Sequence, residues 1–169
     1  MTNRFFLSAQ FGQAKAFALG VLLFGLLSGC ASMRPIPGTK IADTPLHREL
    51  LQRVEEYRVA MEQRDAGKLL SMAHPNYYED SGTPTAQDDY AYAGLKRVLE
   101  ARLQAVRWMR YLVRYRDVRV ASDRAVVDLR YDLSFQLMTD VGEKWERRQN
   151  DKRIELQKEG DRWLFTSGF

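Results

Sequence analysis

The apolar residues of this chain recur with one period up to about residue 106 and with another beyond it, and that switch narrows the possible folds. After Arg107, Met109, Tyr111, Val113 and Tyr115 alternate with Arg110, Leu112, Arg114 and Arg116. Farther on, Val127, Leu129, Tyr131, Leu133, Phe135 and Leu137 alternate with Asp128, Arg130, Asp132, Ser134 and Gln136. A period of two puts every second side chain on one face of a pleated strand, so each run predicts a strand with one buried and one wet face. A charged stretch from Lys144 to Lys158 follows, and Asp161 to Phe169 closes the sequence. The connections near Ser122-Asp123, at Thr139–Gly142 and at Glu159-Gly160 have hairpin lengths. The second half is therefore predicted to be a four-strand antiparallel meander.

Register follows from keeping the apolar residues on one face. A Thr139–Gly142 connection sets Val127 opposite Ile154 and Ala125 opposite Leu156. A two-residue Glu159-Gly160 turn sets Leu156 opposite Trp163 and Ile154 opposite Phe165. The first hairpin is out of phase, because Val118 and Val120 have the opposite parity to Tyr115. One extra residue restores the phase, so a β-bulge is predicted near Arg116-Asp117, and with it a strongly curved sheet. The same register puts Glu146, Arg148, Asn150 and Lys152 on the face of Phe135, Leu133, Tyr131 and Leu129. Polar groups on the concave face of a curved sheet can line a cleft; the alternative is that they overhang the helical layer and meet water.

Before Arg107 the period is helical. Thr44 is an N-cap candidate and Pro45 fits the first helical position. Leu46, Leu50, Val54, Tyr57 and Met61 then form a stripe, widened by Leu51 and Arg58. Arg64–Gly67 breaks this helix, Lys68 to Ala73 adds a turn or two, and Pro75 stops it. Asn76–Asp80 reads as a short strand and residues 81–84 as a loop. A long helix is predicted from about Thr85 to Val106, with Ala91, Leu95, Val98, Leu99 and Val106 on one face.

The N-terminus carries a different signal. Leu27-Ser28-Gly29-Cys30 resembles the lipobox of bacterial lipoproteins, whose cysteine is acylated after everything before it is removed. Arg4 and Lys15 supply the positive region, and residues 16–27 a short apolar core. That run is shorter than the roughly 20 apolar residues of a spanning helix. The alternatives are an ordinary signal peptide with a buried cysteine or an amphipathic anchor. The resemblance implies a signal peptide over 1–29, a lipidated tether over 30–45 and a domain over 46–169. With Ala31 and Ser32 after the cysteine, and no aspartate, it implies the periplasmic face of the outer membrane. Cys30 is the sole cysteine, so no internal disulfide is available and stability must come from packing. Removal of Arg4 and Lys15 with the leader takes the formal charge from +4 to +2, too little to argue for nucleic acid.

Helix, short helix, His74-Pro75-Asn76-Tyr77-Tyr78, long helix and a meander ending in Gly160-Asp161-Arg162-Trp163-Leu164-Phe165 together resemble the nuclear transport factor 2-like superfamily (the SnoaL and ketosteroid isomerase type) over residues 46–169. The resemblance implies an α+β fold in which N-terminal helices pack on a curved four-strand antiparallel sheet to make a cone with one open mouth. The superfamily includes isomerases, dehydratases and cyclases that use Asp, His or Tyr in the cone, besides members that only bind. No enzyme signature of the family can be matched position by position, so no catalytic residue is carried over.

Few residues offer independent chemistry. His47 and His74 lie far apart and the only cysteine is claimed by the lipobox, so no zinc-ligand spacing exists and no metal is expected. His47 reads as solvated in a first helical turn, and His74 as a turn or satisfied-core histidine. No nucleophile elbow and no phosphate-cradling glycine loop occur, so no cofactor is expected. Glu79, Asp80, Asp88 and Asp89 read as loop-solvating carboxylates; acid–base work would need one of them buried. Arg107, Arg110, Arg114, Arg116 and Arg119 interleave with Trp108, Tyr111 and Tyr115. Alternation sends Arg110, Arg114 and Arg116 outward, toward Asp128 and Asp132 of the next strand, where cross-strand pairs contribute about 0.2–1 kcal/mol each. Trp108, Arg110, Leu112 and Arg114 are accordingly a candidate partner face, and Tyr78, Tyr131, Glu146, Arg148, Asn150 and Lys152 a candidate pocket. The reading that results is a lipid-anchored, non-catalytic module that binds a small apolar ligand or an envelope protein. A small isomerase, dehydratase or cyclase is the alternative.

Overall fold

The computed structural model describes residues 34–80 and 87–169. The lipobox with Cys30, and Thr85, lie outside them. In chain order the elements are α1 (Pro45–Gln63), α2 (Ala66–Met72), β1 (Tyr78–Glu79), β2 (Tyr90–Ala91), α3 (Tyr92–Gln104), β3 (Val106–Ala121), β4 (Arg124–Thr139), β5 (Gly142–Glu159) and β6 (Arg162–Ser167). The last four form one antiparallel sheet in the order β3-β4-β5-β6, and β1 pairs with β2. The α+β meander expected from the two periods is the observed architecture.

The long strands pair much as parity demands. Val127 faces Ile154 and Ala125 faces Leu156, with Asp140-Val141 as the turn residues. The ladder between β3 and β4 slips between Tyr115 and Asp117, so Arg116 is the inserted residue and Val118 returns to the buried face. A second slip, between Val106 and Trp108, was not anticipated. It lets Val106 and Met109 both reach the core.

The last hairpin corrects the expected register. Its turn residues are Gly160-Asp161, so Leu156 faces Phe165 and Lys158 faces Trp163. The shift is by two residues, which preserves the face, and Gly160 takes the left-handed conformation the turn needs (φ 58°). A bulge between Glu155 and Leu156 then sets Glu155 opposite Ser167.

Helix α1 lies across the concave side and ties its two ends together. Thr44 caps it, its hydroxyl accepting from the His47 amide at 3.1 Å, with Pro45 in the first turn. Leu50, Leu51, Val54, Tyr57 and Ala60 form its buried stripe. Arg53 donates to the Trp163 carbonyl of β6 at 3.0 Å. At the other side, Glu62 accepts from the Tyr111 amide at 2.8 Å and Arg64 donates to the Val106 carbonyl at 2.8 Å. These contacts satisfy backbone groups on the free edge of β3, which would otherwise be open to another strand.

Two boundaries differ from expectation. Helix α3 begins at Tyr92 because Tyr90-Ala91 pairs with Glu79 and Tyr78 instead. Its buried face is Leu95, Leu99 and Leu103. The second boundary concerns the expected tether, which is folded from Arg34 onward. Pro35 bridges Ala42, the Ile36 amide donates to the Ile41 carbonyl at 2.8 Å, and Ile41 is buried in the core. Proline and glycine here shape a turn.

Gly168 combines a positive φ of 95° with a close approach: a Cβ there would stand 2.6 Å from the Arg153 carbonyl oxygen. Gly168→Ala is expected to cost more than about 1 kcal/mol. A urea melt checks this, the midpoint falling with the slope unchanged.

Candidate functional site

Between the concave face of the sheet, α1 and the end of α3 lies a cavity of about 630 Å3. Its walls are mostly apolar and aromatic, with Met61 from α1, Leu103 from α3 and Val106 and Met109 from β3. Leu133, Phe135 and Leu137 come from β4. The inward parity of β3 and β4 supplies this wall. Such a volume and lining suit a small organic molecule.

Polar groups gather at one end. The Lys152 ammonium donates to the Tyr57 hydroxyl at 2.9 Å and stands 5.1 Å from the centre of that ring. Tyr57 also meets Tyr111 edge-on, with centroids 5.9 Å apart, and Tyr131 lies 5.6 Å beyond Tyr111. Burial pushes the phenol of Tyr57 well above its ordinary range, and burial does the same to Tyr111. These hydroxyls stay protonated, able to donate to a ligand but not to serve as bases.

Glu79 closes the other side. Its Oε2 accepts from the Tyr77 hydroxyl at 2.7 Å, the Gly168 amide at 2.8 Å and the Phe169 amide at 3.3 Å. The Tyr77 hydroxyl in turn accepts from the Phe169 amide at 3.0 Å. Phe169 is thereby held against Tyr57, with ring centres 5.3 Å apart, and against Tyr77 and Phe165, each at 5.1 Å, and it lines the cavity. Burial first, then the Glu79 charge, drives the Tyr77 phenol far upward.

Of the residues expected in a pocket, Tyr131, Arg148 and Lys152 line this cavity, and Tyr78, Glu146 and Asn150 do not. Tyr78 is half exposed and donates to Asp89 at 2.5 Å on the other side of the β1–β2 pair. Its neighbours Tyr77 and Glu79 turn inward instead. Glu146 does share the face of Phe135, but Lys144 at 2.9 Å and Arg148 at 3.2 Å hold it. Those hydrogen bonds pull its carboxyl below the usual range. Arg148 also lies 5.3 Å over the Phe135 ring, at the rim. Sequence reasoning placed Tyr57 in a core stripe and Glu79 in a solvated loop, and gave neither a role at the pocket. Their partners, Lys152 and Gly168-Phe169, are some 90 residues away in the chain.

His74 is buried, its amide donating to the Phe165 carbonyl and its Nδ1 accepting from the Asn76 amide at 3.0 Å. This is the turn histidine expected. His47, expected to be solvated, instead stands with Nδ1 2.8 Å from the Ala42 carbonyl.

The convex face carries the candidate partner residues. Trp108 and Leu112 are exposed there, and Trp108 meets Trp145 of β5 at 5.3 Å across Gln136. The expected pairing of Asp132 and Asp128 with Arg110, Arg114 and Arg116 is corrected. Arg147 and Gln149 of β5 hold Asp132, bringing its carboxyl down to about 2. Arg119 and Arg153 hold Asp128, and Arg116 pairs with Asp151.

No family model matches the chain, and no curated protein matches it. Solved structures do match, in fold. A protein from Kribbella flavida superposes with a TM-score of 0.61 at 14% identity, covering 72% of this chain and 86% of its own. A candidate dehydratase of the nuclear transport factor 2-like family from Streptomyces avermitilis gives 0.57 at 16%, covering 72% and 92%. A candidate scytalone dehydratase from Novosphingobium aromaticivorans gives 0.60 at 11%, covering 73% and 80%. The chain thus has the nuclear transport factor 2-like cone, and identities this low carry the fold alone.

Removing the Glu79 carboxylate leaves the Gly168 amide without its acceptor, at a cost of about 1–3 kcal/mol. In Glu79→Ala, hydrogen exchange at the Gly168 and Phe169 amides is expected to speed up by about tenfold or more. Protection in α1 should stay at its wild-type level.

Proposed function

We propose that this chain is a non-catalytic binding module whose cone takes a small, largely apolar ligand, and that a lipid on Cys30 holds it to a bacterial outer membrane. The observation that carries the first part is the cavity: an apolar wall from β3, β4 and α3 facing a polar end built by Tyr57, Tyr111 and Lys152. The acids near it are engaged. Glu79 accepts from three donors through Oε2 and Asp151 pairs with Arg116. A proton-transferring enzyme of this fold needs a base free to receive a proton at the ligand, and the phenols here are driven toward their neutral form by burial. That weighs against an isomerase, dehydratase or cyclase, the class to which the names of two fold neighbours point.

Support for the anchor is the Leu27-Ser28-Gly29-Cys30 pattern behind a positive and then apolar leader. Lipid attachment and a small-molecule cone fit together physically, since the tail fixes the module beside a bilayer from which apolar molecules partition.

The neutral fluorophore N-phenyl-1-naphthylamine tests the cone. Its emission is expected to rise on titration with the protein and to be lost in Leu133→Trp, which fills the cavity while Leu112→Trp on the convex face changes nothing. Equal emission from wild type and Leu133→Trp would place the probe elsewhere and defeat the reading. For the anchor, Cys30→Ser should move the protein from the membrane pellet to the soluble fraction on cell fractionation.

A further inference from the structure

We propose that the ligand of the cone is a single-chain amphiphile with a monoanionic head, of the medium-chain carboxylate class, and that Lys152 is its counter-ion. The inference rests on the cone being a ligand site, and names what that site selects. Lys152 projects from β5 onto the concave face, opposite Leu129, and is half buried at the cavity. Among the described residues its only hydrogen bond is to the Tyr57 hydroxyl, and none of the ion pairs among them includes it. This contrasts with its surroundings: Arg116, Arg147 and Arg153 on the same sheet each hold an aspartate.

A partly buried ammonium without a counter-charge is costly, and such groups are ordinarily paired. The hydrogen bond to the Tyr57 hydroxyl offsets part of that cost but leaves two of the three N–H donors unused. An anionic head placed beside Tyr57 would take those donors and could accept from the Tyr57 hydroxyl as well. The charge of the head follows from the balance. One ammonium inside calls for one negative charge, because the other two cations lining the cavity are exposed: Arg148 is shared with Glu146, and Arg102 lies over the Tyr90 ring and donates to its hydroxyl. A dianionic phosphate would leave a charge uncompensated. The body of the ligand follows from the opposite wall, where Met109, Leu133 and Leu137 offer no polar partner.

Calorimetric titration of the full chain with decanoate and with decan-1-ol separates head from tail. Decanoate is expected to bind about tenfold tighter than decan-1-ol, a charge-assisted pair being stronger than a neutral hydrogen bond. In Lys152→Met that preference should vanish, and Lys152→Arg should restore part of it. Equal affinity of wild type for the two amphiphiles, or a preference that survives in Lys152→Met, overturns the assignment of Lys152 and leaves the apolar cone standing. Binding of neither amphiphile, with N-phenyl-1-naphthylamine bound, likewise rejects the chain-like ligand. If all three fail to bind, the cone reading itself falls.

Discussion

A β-ladder repeats every two residues, so a single inserted residue decides which side of a long strand is buried. In β3 that residue is Arg116, between Tyr115 and Asp117. Without it, either Tyr111, Val113 and Tyr115 or Val118 and Val120 would face water, and a strand of this length cannot afford to expose half its apolar set. The bulge keeps both halves on the concave face and bends the strand as it does so. Everything that packs in the bowl inherits that choice: Tyr111 meets Tyr57 edge-on, and Val118 closes the base beside Val127.

The open end has a second cause. Strand β6 pairs with β5 only over Glu155–Glu159 and Gly168 packs against Arg153 and Ile154, so residues 142–152 of β5 have β4 as their one strand neighbour. Along that stretch the inward positions are Lys144, Glu146, Arg148, Asn150 and Lys152, and the apolar wall they continue belongs to β4. Charge along an unpaired edge discourages addition of a foreign strand. It also makes one rim of the cavity polar while its floor is aromatic. Two of these edge residues, Arg148 and Lys152, line the cavity and give that rim its polarity.

Much of this was readable from the chain because strand parity is a strong constraint. The register of β4 against β5, the bulge at Arg116 and the concave placement of Lys152 all follow from keeping Val127, Leu129 and Ile154 on one side. Parity fails where a strand is short. In the two-residue β1 nothing in the sequence said whether Tyr78 or its neighbours would face inward, and Tyr77 and Glu79 do. Turn placement in the last hairpin escaped for a similar reason, since a shift of two residues leaves every face unchanged. Residues 34–44 have no periodicity, yet Ile41 is buried, because a compact turn buries a residue without repeating anything. Trp145 was missed as a neighbour of Trp108 because the two share a row only across β4.

The polar chemistry of the cone was the least legible part, and its physics explains both the difficulty and the functional reading. A tyrosine at a core position of α1 and a lysine on a charged strand are each unremarked alone. Brought within 2.9 Å, they form a donor-rich corner in an apolar cavity. The proposed binding role rests on how the groups of this corner are engaged. General acid–base work needs a group that exchanges its proton near the working pH, whereas burial holds Tyr57 and Tyr111 protonated and Glu79 is committed to two backbone amides and a phenol. Freeing Glu79 for chemistry would unfasten Gly168 and Phe169 and with them one wall of the cavity. Tyr57 and Tyr111 thus keep their protons while Glu79 keeps Gly168 and Phe169 in place, and both behaviours are what the proposed binding role requires.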